Sequence, residues 1–197
     1  MVDIVIATSN KGKIKEIRDI LSDFPFNVIP ISALGPMPEV VEDGKTFLEN
    51  ALKKAKIVSE TYNVIALADD SGLEVDALGG APGVYSARYA GEGATDADNN
   101  KKLLDAIKNI DESKRTARFR CCVVVYKPDG SYVWADGVCE GIIAEKPRGS
   151  KGFGYDPIFY LPELKRTMAE LEPEEKNRLS HRFRALLALR EKLSNFI

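Results

Sequence analysis

MVDIVIATSNKGKIKEIRDILSDFPFNVIPI, residues 1–31, decides the fold. Val2 to Thr8 is a β-branched apolar run, the pattern of a buried strand. Ser9 and Asn10 then offer a helix N-cap. Ile14, Ile17, Ile20 and Leu21 recur at helical spacing, which predicts a helix over 11–22, and Phe26 to Ile31 reads as the next strand. A β-α-β opening of this kind points to an α/β fold.

The pattern continues outward. After a Pro- and Gly-rich loop from Leu34 to Gly44, a long helix is expected over 46–62, with Phe47, Ala51, Ala55, Val58 and Tyr62 inward. Val64 to Ala68 is a short strand that should end at Asp69-Asp70-Ser71-Gly72. Thr95, with Asp98 completing a capping box, should open a helix running to about Ile110. The runs 116–127 and 131–144, joined by Pro128-Asp129-Gly130, read as a long hairpin. Residues 148–155 read as a loop, and a final helix starts after Ser180 with Phe183, Leu186, Leu187 and Leu193 buried. The expectation is one mixed α/β domain over 1–197, with a lobe around the 116–144 hairpin. No internal repeat stands out.

Composition bounds the function. The chain has 197 residues, 44% hydrophobic and 29% charged, which is ordinary for a globular protein. Lys plus Arg is 28 against Asp plus Glu 30, a net charge of -2, so a general nucleic-acid coat is not expected. Cys121, Cys122 and Cys139 are odd in number and two are adjacent, which is no disulfide framework. They read as small apolar strand residues in a reducing interior. The N-terminus lacks the basic start and apolar length of a signal peptide, and no run of apolar residues is long enough to span a membrane. A cytoplasmic protein is expected.

Four places carry candidate chemistry. Thr8, Ser9, Asn10, Lys11, Gly12 and Lys13 join a strand end to a helix start, whose free N–H groups suit phosphate. The same residues also read as a capped helix with solvated lysines. Lys54 falls within the apolar arc of its helix while Lys53 and Lys56 fall opposite, so Lys54 must snorkel or meet an anion. Asp69 and Asp70 point to opposite faces of their strand, and Glu42 adds a further carboxylate, a hard-oxygen set that suits Mg²⁺. Gly152-Phe153-Gly154-Tyr155-Asp156-Pro157 can stack a planar base while an acid reads its edge. The single histidine, His181, and Arg182 begin the last helix, with Lys176 upstream. There the helix dipole favours a neutral imidazole.

Taken together these segments resemble the inosine triphosphate pyrophosphatase family of non-canonical purine NTP pyrophosphatases. The carriers are Thr8-Ser9-Asn10-x-x-Lys13, Glu42-x-Gly44-x-Thr46-Phe47-x-Glu49-Asn50-Ala51, and Ala68-Asp69-Asp70-Ser71-Gly72-Leu73. Leu78-Gly79-Gly80-Ala81-Pro82-Gly83, the Gly152–Pro157 hexapeptide and Ser180-His181-Arg182 complete the set. The resemblance covers nearly the whole chain. It implies an elongated mixed sheet in two lobes around a substrate cleft, in a homodimer. It implies Mg²⁺-dependent hydrolysis of ITP, dITP, XTP and dXTP to the monophosphate and pyrophosphate, which clears deaminated purines from the nucleotide pool. Thr8 to Lys13, Lys54 and Lys176 would hold phosphates, and Glu42 and Asp70 the metal. Asp70 would activate the attacking water, although the adjacent Asp69 leaves that assignment open. Ser71 would touch substrate, Phe153 would stack the base, and Gly154, Tyr155, Asp156, His181 and Arg182 would line its pocket. Some relatives carry Trp where this chain has Tyr155, which changes the pocket's shape. Two rivals are a related enzyme for other altered nucleotides and a non-catalytic nucleotide sensor.

Overall fold

Strand alternation organises everything that follows. In the computed structural model, which describes residues 2–194 and 196–197, β1 (Val2–Ile6) lies parallel to β2 (Phe26–Pro30) and to β3 (Ala66–Val75). The other strands are β4 (Thr116–Tyr126), β5 (Tyr132–Ile143), β6 (Phe159–Leu161) and β7 (Arg166–Thr167). One seven-stranded sheet runs in the order β2-β1-β3-β4-β5-β6-β7, with β5-β6 and β6-β7 antiparallel. The helices are α1 (Lys11–Leu21), α2 (Phe47–Tyr62), α3 (Asp96–Ile107), α4 (Pro173–Leu179) and α5 (His181–Leu193). This is the mixed α/β class expected.

The chain divides into two units: Met1–Asp70 with Cys121–Gly137 and His181–Ile197, and Ser71–Arg120 with Val138–Ser180. In the first unit, residues of one strand parity pack against α1 and α5. Ile4, Ile6, Leu67, Cys121, Val123 and Val125 meet Ile17, Leu21, Leu186 and Leu189 there. Residues of the other parity, Val5, Ala7, Ala66, Ala68, Cys122 and Val124, meet Ala51, Ala55 and Val58 of α2. The second unit has its own core, in which Leu73, Val75, Phe119, Cys139 and Ile143 pack with Leu103 and Ile107 of α3 and with Phe159 and Met168. Each fully buried Ile, Leu or Phe contributes about 1.5–3 kcal/mol. The three cysteines are strand residues buried in these cores, as read from the sequence.

Several features differ from expectation. β3 does not stop at Asp69-Asp70-Ser71-Gly72 but runs on to Val75. Those residue types favour turns, but Leu73 and Val75 are fully buried and draw the strand onward. The short β6, β7 and α4 lie below the length at which periodicity speaks. On α5, Leu187 is exposed, and Ala185 and Leu189 take the core positions with Leu186 and Leu193.

Gly137 of β5 lets α5 approach. A Cβ there would overlap the His181 carbonyl and the Ala185 amide, both main-chain atoms that cannot step aside. Gly137→Ala is expected to destabilise the protein by about 1–3 kcal/mol, read as a lower urea midpoint. An unchanged midpoint would refute the close approach.

Candidate active site

The first unit carries a polyphosphate-like set. Asn10 caps α1 by accepting the Lys13 N–H at 3.1 Å, and Thr8 Oγ1 accepts the Asn10 N–H at 3.2 Å. The first turn of α1 holds no acid, so its open N–H groups and partial positive charge stay available to an anion. Ser9 and Lys11 are exposed there, and Gly12 is half-buried. Lys13 turns inward, and its Nζ lies 3.1 Å from Asp69 Oδ2.

Asp69 and Asp70 sit side by side in β3 and face apart, as alternation requires. Asp69 shares parity with Leu67 and faces α1 and α5; Asp70 shares parity with Ala68 and faces α2. Asp69 Oδ2 takes Lys13 and also Arg182, whose Nε and Nη2 lie 3.3 and 3.0 Å away. Arg182 Nη1 pairs with Glu16, and the guanidinium is 1% exposed. Burial works against charge on Asp69, but Lys13, Arg182 and Lys54 outweigh it and hold its carboxyl far below the usual range. Its Oδ1 is buried and accepts no hydrogen bond from the described residues.

Asp70 lives under the opposite balance. Burial pushes its carboxyl above the usual range, against the pull of Lys54, Lys13 and a hydrogen bond from Asn50. Asn50 Nδ2 donates to Oδ2 at 3.1 Å, and Lys54 Nζ stands 3.2 Å from Oδ1. The same ammonium lies 3.1 Å from Glu42 Oε2. Lys54 is 7% exposed, so it meets anions rather than snorkelling. Burial lowers its basicity, but Asp70, Asp69 and Glu42 more than offset this and it stays charged.

The loop before α2 is built to deliver Glu42. Thr46 caps the helix by accepting the Glu49 N–H, and Glu49 accepts the Lys45 N–H in return. Asn50 Oδ1 accepts the Gly44 N–H at 2.8 Å. A Cβ at Gly44 would stand only 2.5 Å from that oxygen and 2.8 Å from Glu49 Cβ, so the turn needs glycine. Asn50, buried completely, is thus a site residue that the chemical reading did not single out. Its signal was its place on the same helix face as Lys54, one turn earlier.

The second unit carries an aromatic set. Asp156 Oδ2 accepts the Phe153 N–H at 2.9 Å and pairs with Lys176 Nζ at 2.5 Å. That ammonium lies 4.8 Å from the centroid of the Phe153 ring. Phe153 is half-buried; Gly152 holds φ at +76, and a Cβ there would overlap the Asp156 carboxylate. Tyr155 is buried in the unit's core and its hydroxyl donates to the Ser86 carbonyl at 2.8 Å, which makes it an anchor of the loop. Ser71 is half-buried on β3. Lys176 is carried by α4, a helix not foreseen, although Pro173 at its first position and Glu174 and Glu175 in its first turn announce it. His181, 7% exposed, opens α5 in the first unit.

Among the described residues, no group of three or more His, Cys, Asp and Glu is placed to hold a metal. What the first unit offers is a pair of hard carboxylates, Glu42 and Asp70, converging on one cationic centre. That is the donor set Mg²⁺ takes when phosphate oxygens complete its shell.

Comparison with known proteins matches residues 4–192 to the Ham1 family. The chain is 52% identical to a dITP/XTP pyrophosphatase of Desulforamulus reducens, covering 93% of this chain and 91% of that protein. It is 51% identical to a dITP/XTP pyrophosphatase of Geobacter sulfurreducens, covering 98% and 97%. Among solved structures, a HAM1 protein from Coxiella burnetii superposes with a TM-score of 0.89 at 45% identity, over 99% of this chain and 100% of that one.

Proposed function

The chain belongs to the Ham1 family, and from that premise we infer that it hydrolyses non-canonical purine nucleoside triphosphates, dITP and XTP among them, to the monophosphate and pyrophosphate. The observation that carries the chemistry is the buried Lys54 ammonium held between Glu42 and Asp70. Such a set suits phosphoryl chemistry: carboxylates for a hard cation and a proton, a lysine for developing phosphate charge.

In this reading Glu42 and Asp70 hold Mg²⁺, which when bound neutralises charge on the phosphate oxygens. Asp70 orients the attacking water and accepts its proton. Its upward shift by burial makes it the more basic of the adjacent pair. Asp69 acts through its partners, holding Lys13 and Arg182 in place. Lys13, the amide-rich start of α1 and Lys54 stabilise the phosphates and the departing pyrophosphate, whereas Lys176, expected among the phosphate ligands, is paired with Asp156 beside the Phe153 ring and serves the base end. Phe153 stacks the purine, with Asp156 and Lys176 fixing the ring's backbone and face. His181 is assigned to base reading, where a buried donor aimed at a 6-oxo group goes unpaired against adenine, whereas the Arg182 guanidinium, committed to Asp69 and Glu16, serves as their partner rather than as a reader of the base. A homodimer in a reducing cytoplasm belongs to the same proposal; the odd number of cysteines supports the compartment and light scattering tests the dimer.

A pyrophosphate-release assay with ITP, XTP, GTP and ATP, each with and without Mg²⁺, tests the reading. Release from ITP and XTP that needs Mg²⁺ is expected. Orthophosphate with a nucleoside diphosphate would overturn attack at the α-phosphorus. His181→Ala is expected to narrow the preference for ITP over ATP about fivefold, the worth of one hydrogen bond. Unchanged selectivity in kcat/KM would remove it from base reading.

A further inference from the structure

The loop that presents Phe153 is held at its neighbour, Gly154, by side chains that no sequence motif marked. Asp96 Oδ2 accepts the Gly154 N–H at 2.7 Å. Asn100 Nδ2 donates to the Gly154 carbonyl at 3.0 Å. Asp96 and Asn100 are four residues apart on α3, so they stack on one face of its first turns. Between them they fix both polar groups of a residue held at φ +63, where the chain turns so that Tyr155 enters the core while Phe153 stays half-exposed.

The start of α3 is itself rigid. Thr95 and Asp98 form the reciprocal capping box expected from the sequence. Asn99, next to Asn100, accepts the Ala90 N–H at 2.7 Å and donates to the Ala87 carbonyl at 3.1 Å. Asn100 is 8% exposed, and its Oδ1 accepts no hydrogen bond from the described residues. An unpaired buried acceptor costs about 1–3 kcal/mol. Packing alone would be served better by an apolar side chain, so what the amide contributes is its donor to Gly154.

We propose that Asp96 and Asn100 are positioning residues for purine recognition: they clamp the Gly154 peptide groups so that the Phe153 ring is presented in one orientation. The clamp rests on the reading of Phe153 as the base-stacking ring. It acts on the base end of the substrate and leaves the phosphate set of the first unit alone. Preorganisation of this kind shows in affinity for the base, since a loose ring must be ordered when the base arrives.

The test compares Asp96→Ala, Asn100→Ala and Asp96→Asn with the unaltered protein. Each alanine variant is expected to raise KM for ITP and the inhibition constant of IMP about fivefold to tenfold, the worth of one hydrogen bond, with kcat within about twofold. The inhibition constant of inorganic pyrophosphate, which carries no base, should not move. Asp96→Asn keeps an acceptor for the Gly154 N–H and should restore KM. Loss of pyrophosphate affinity in step with IMP would mean general damage and overturn the proposal, as would unchanged KM in both alanine variants. The unaltered protein's turnover of ITP reports separately on the reading of function: its absence sinks that reading, whereas its presence with unaffected variants sinks only the clamp.

Discussion

Asp70→Asn is expected to lower kcat for ITP by about a thousandfold, within the span that positioned proton transfer supplies, while the protein stays folded. The substitution is nearly isosteric. Its carbonyl oxygen can still accept from Asn50, but it turns an amide N–H₂ toward Lys54 where Oδ1 stood 3.2 Å from the ammonium. Three things are lost together: the acceptor for the water's proton, half of the carboxylate pair proposed for the metal, and one of the two anions that flank Lys54. The fold should tolerate this because burial already disfavours charge at Asp70. Pyrophosphate release measures the rate, and the thermal midpoint measures the fold. Turnover within about tenfold of normal would refute Asp70 as the base. Glu42→Gln should cost less, since the Glu42 side chain is 39% exposed and water can replace part of what it holds.

What was legible in the sequence followed one rule: a residue could be placed when its role was written in its own periodicity. Lys54 broke the apolar face of α2, so its inward aim could be read before its partners were known. Asp69 and Asp70 could be assigned opposite faces from alternation alone, and they take opposite partners. The strand's continuation through them could not be read, because Asp, Ser and Gly are turn formers locally and only the burial of Leu73 and Val75 overrides them. Long-range pairing left no trace. Arg182 reaches Asp69 across 113 positions of chain. Tyr155 was expected to line the base pocket, and its hydroxyl donates to the Ser86 carbonyl, 69 positions away, a partner that no periodicity announces. Asp96 and Asn100 were invisible because the group they hold is backbone, which has no side-chain signature.

Arg182 carries the largest expected loss of stability. Arg182→Met should destabilise the protein by about 3–5 kcal/mol, the usual cost of removing one partner from a buried ion pair. The reason is what it leaves behind. Asp69 is 2% exposed and Glu16 is 8% exposed, and both give an oxygen to the guanidinium. Without it, Glu16 loses its Arg182 partner, and Asp69 keeps only Lys13 within ion-pairing distance among the described residues. For a chain of this size each kcal/mol is worth about 2–4 °C, so the thermal midpoint should fall by about 6–20 °C. A double-mutant cycle separates the pair from the packing. Asp69→Asn alone takes one carboxylate partner from Arg182 and leaves it Glu16, and Asp69→Asn with Arg182→Met removes both charges of the Asp69–Arg182 pair. The double variant should then lose less than the sum of the singles, by about 1–3 kcal/mol. Additive losses would show that the guanidinium matters only as packed volume. The same cycle bears on activity, because Asp69 also holds Lys13. Asp69→Asn should weaken inhibition by inorganic pyrophosphate, whereas Arg182→Met, which leaves the Lys13–Asp69 pair in place, should weaken it less.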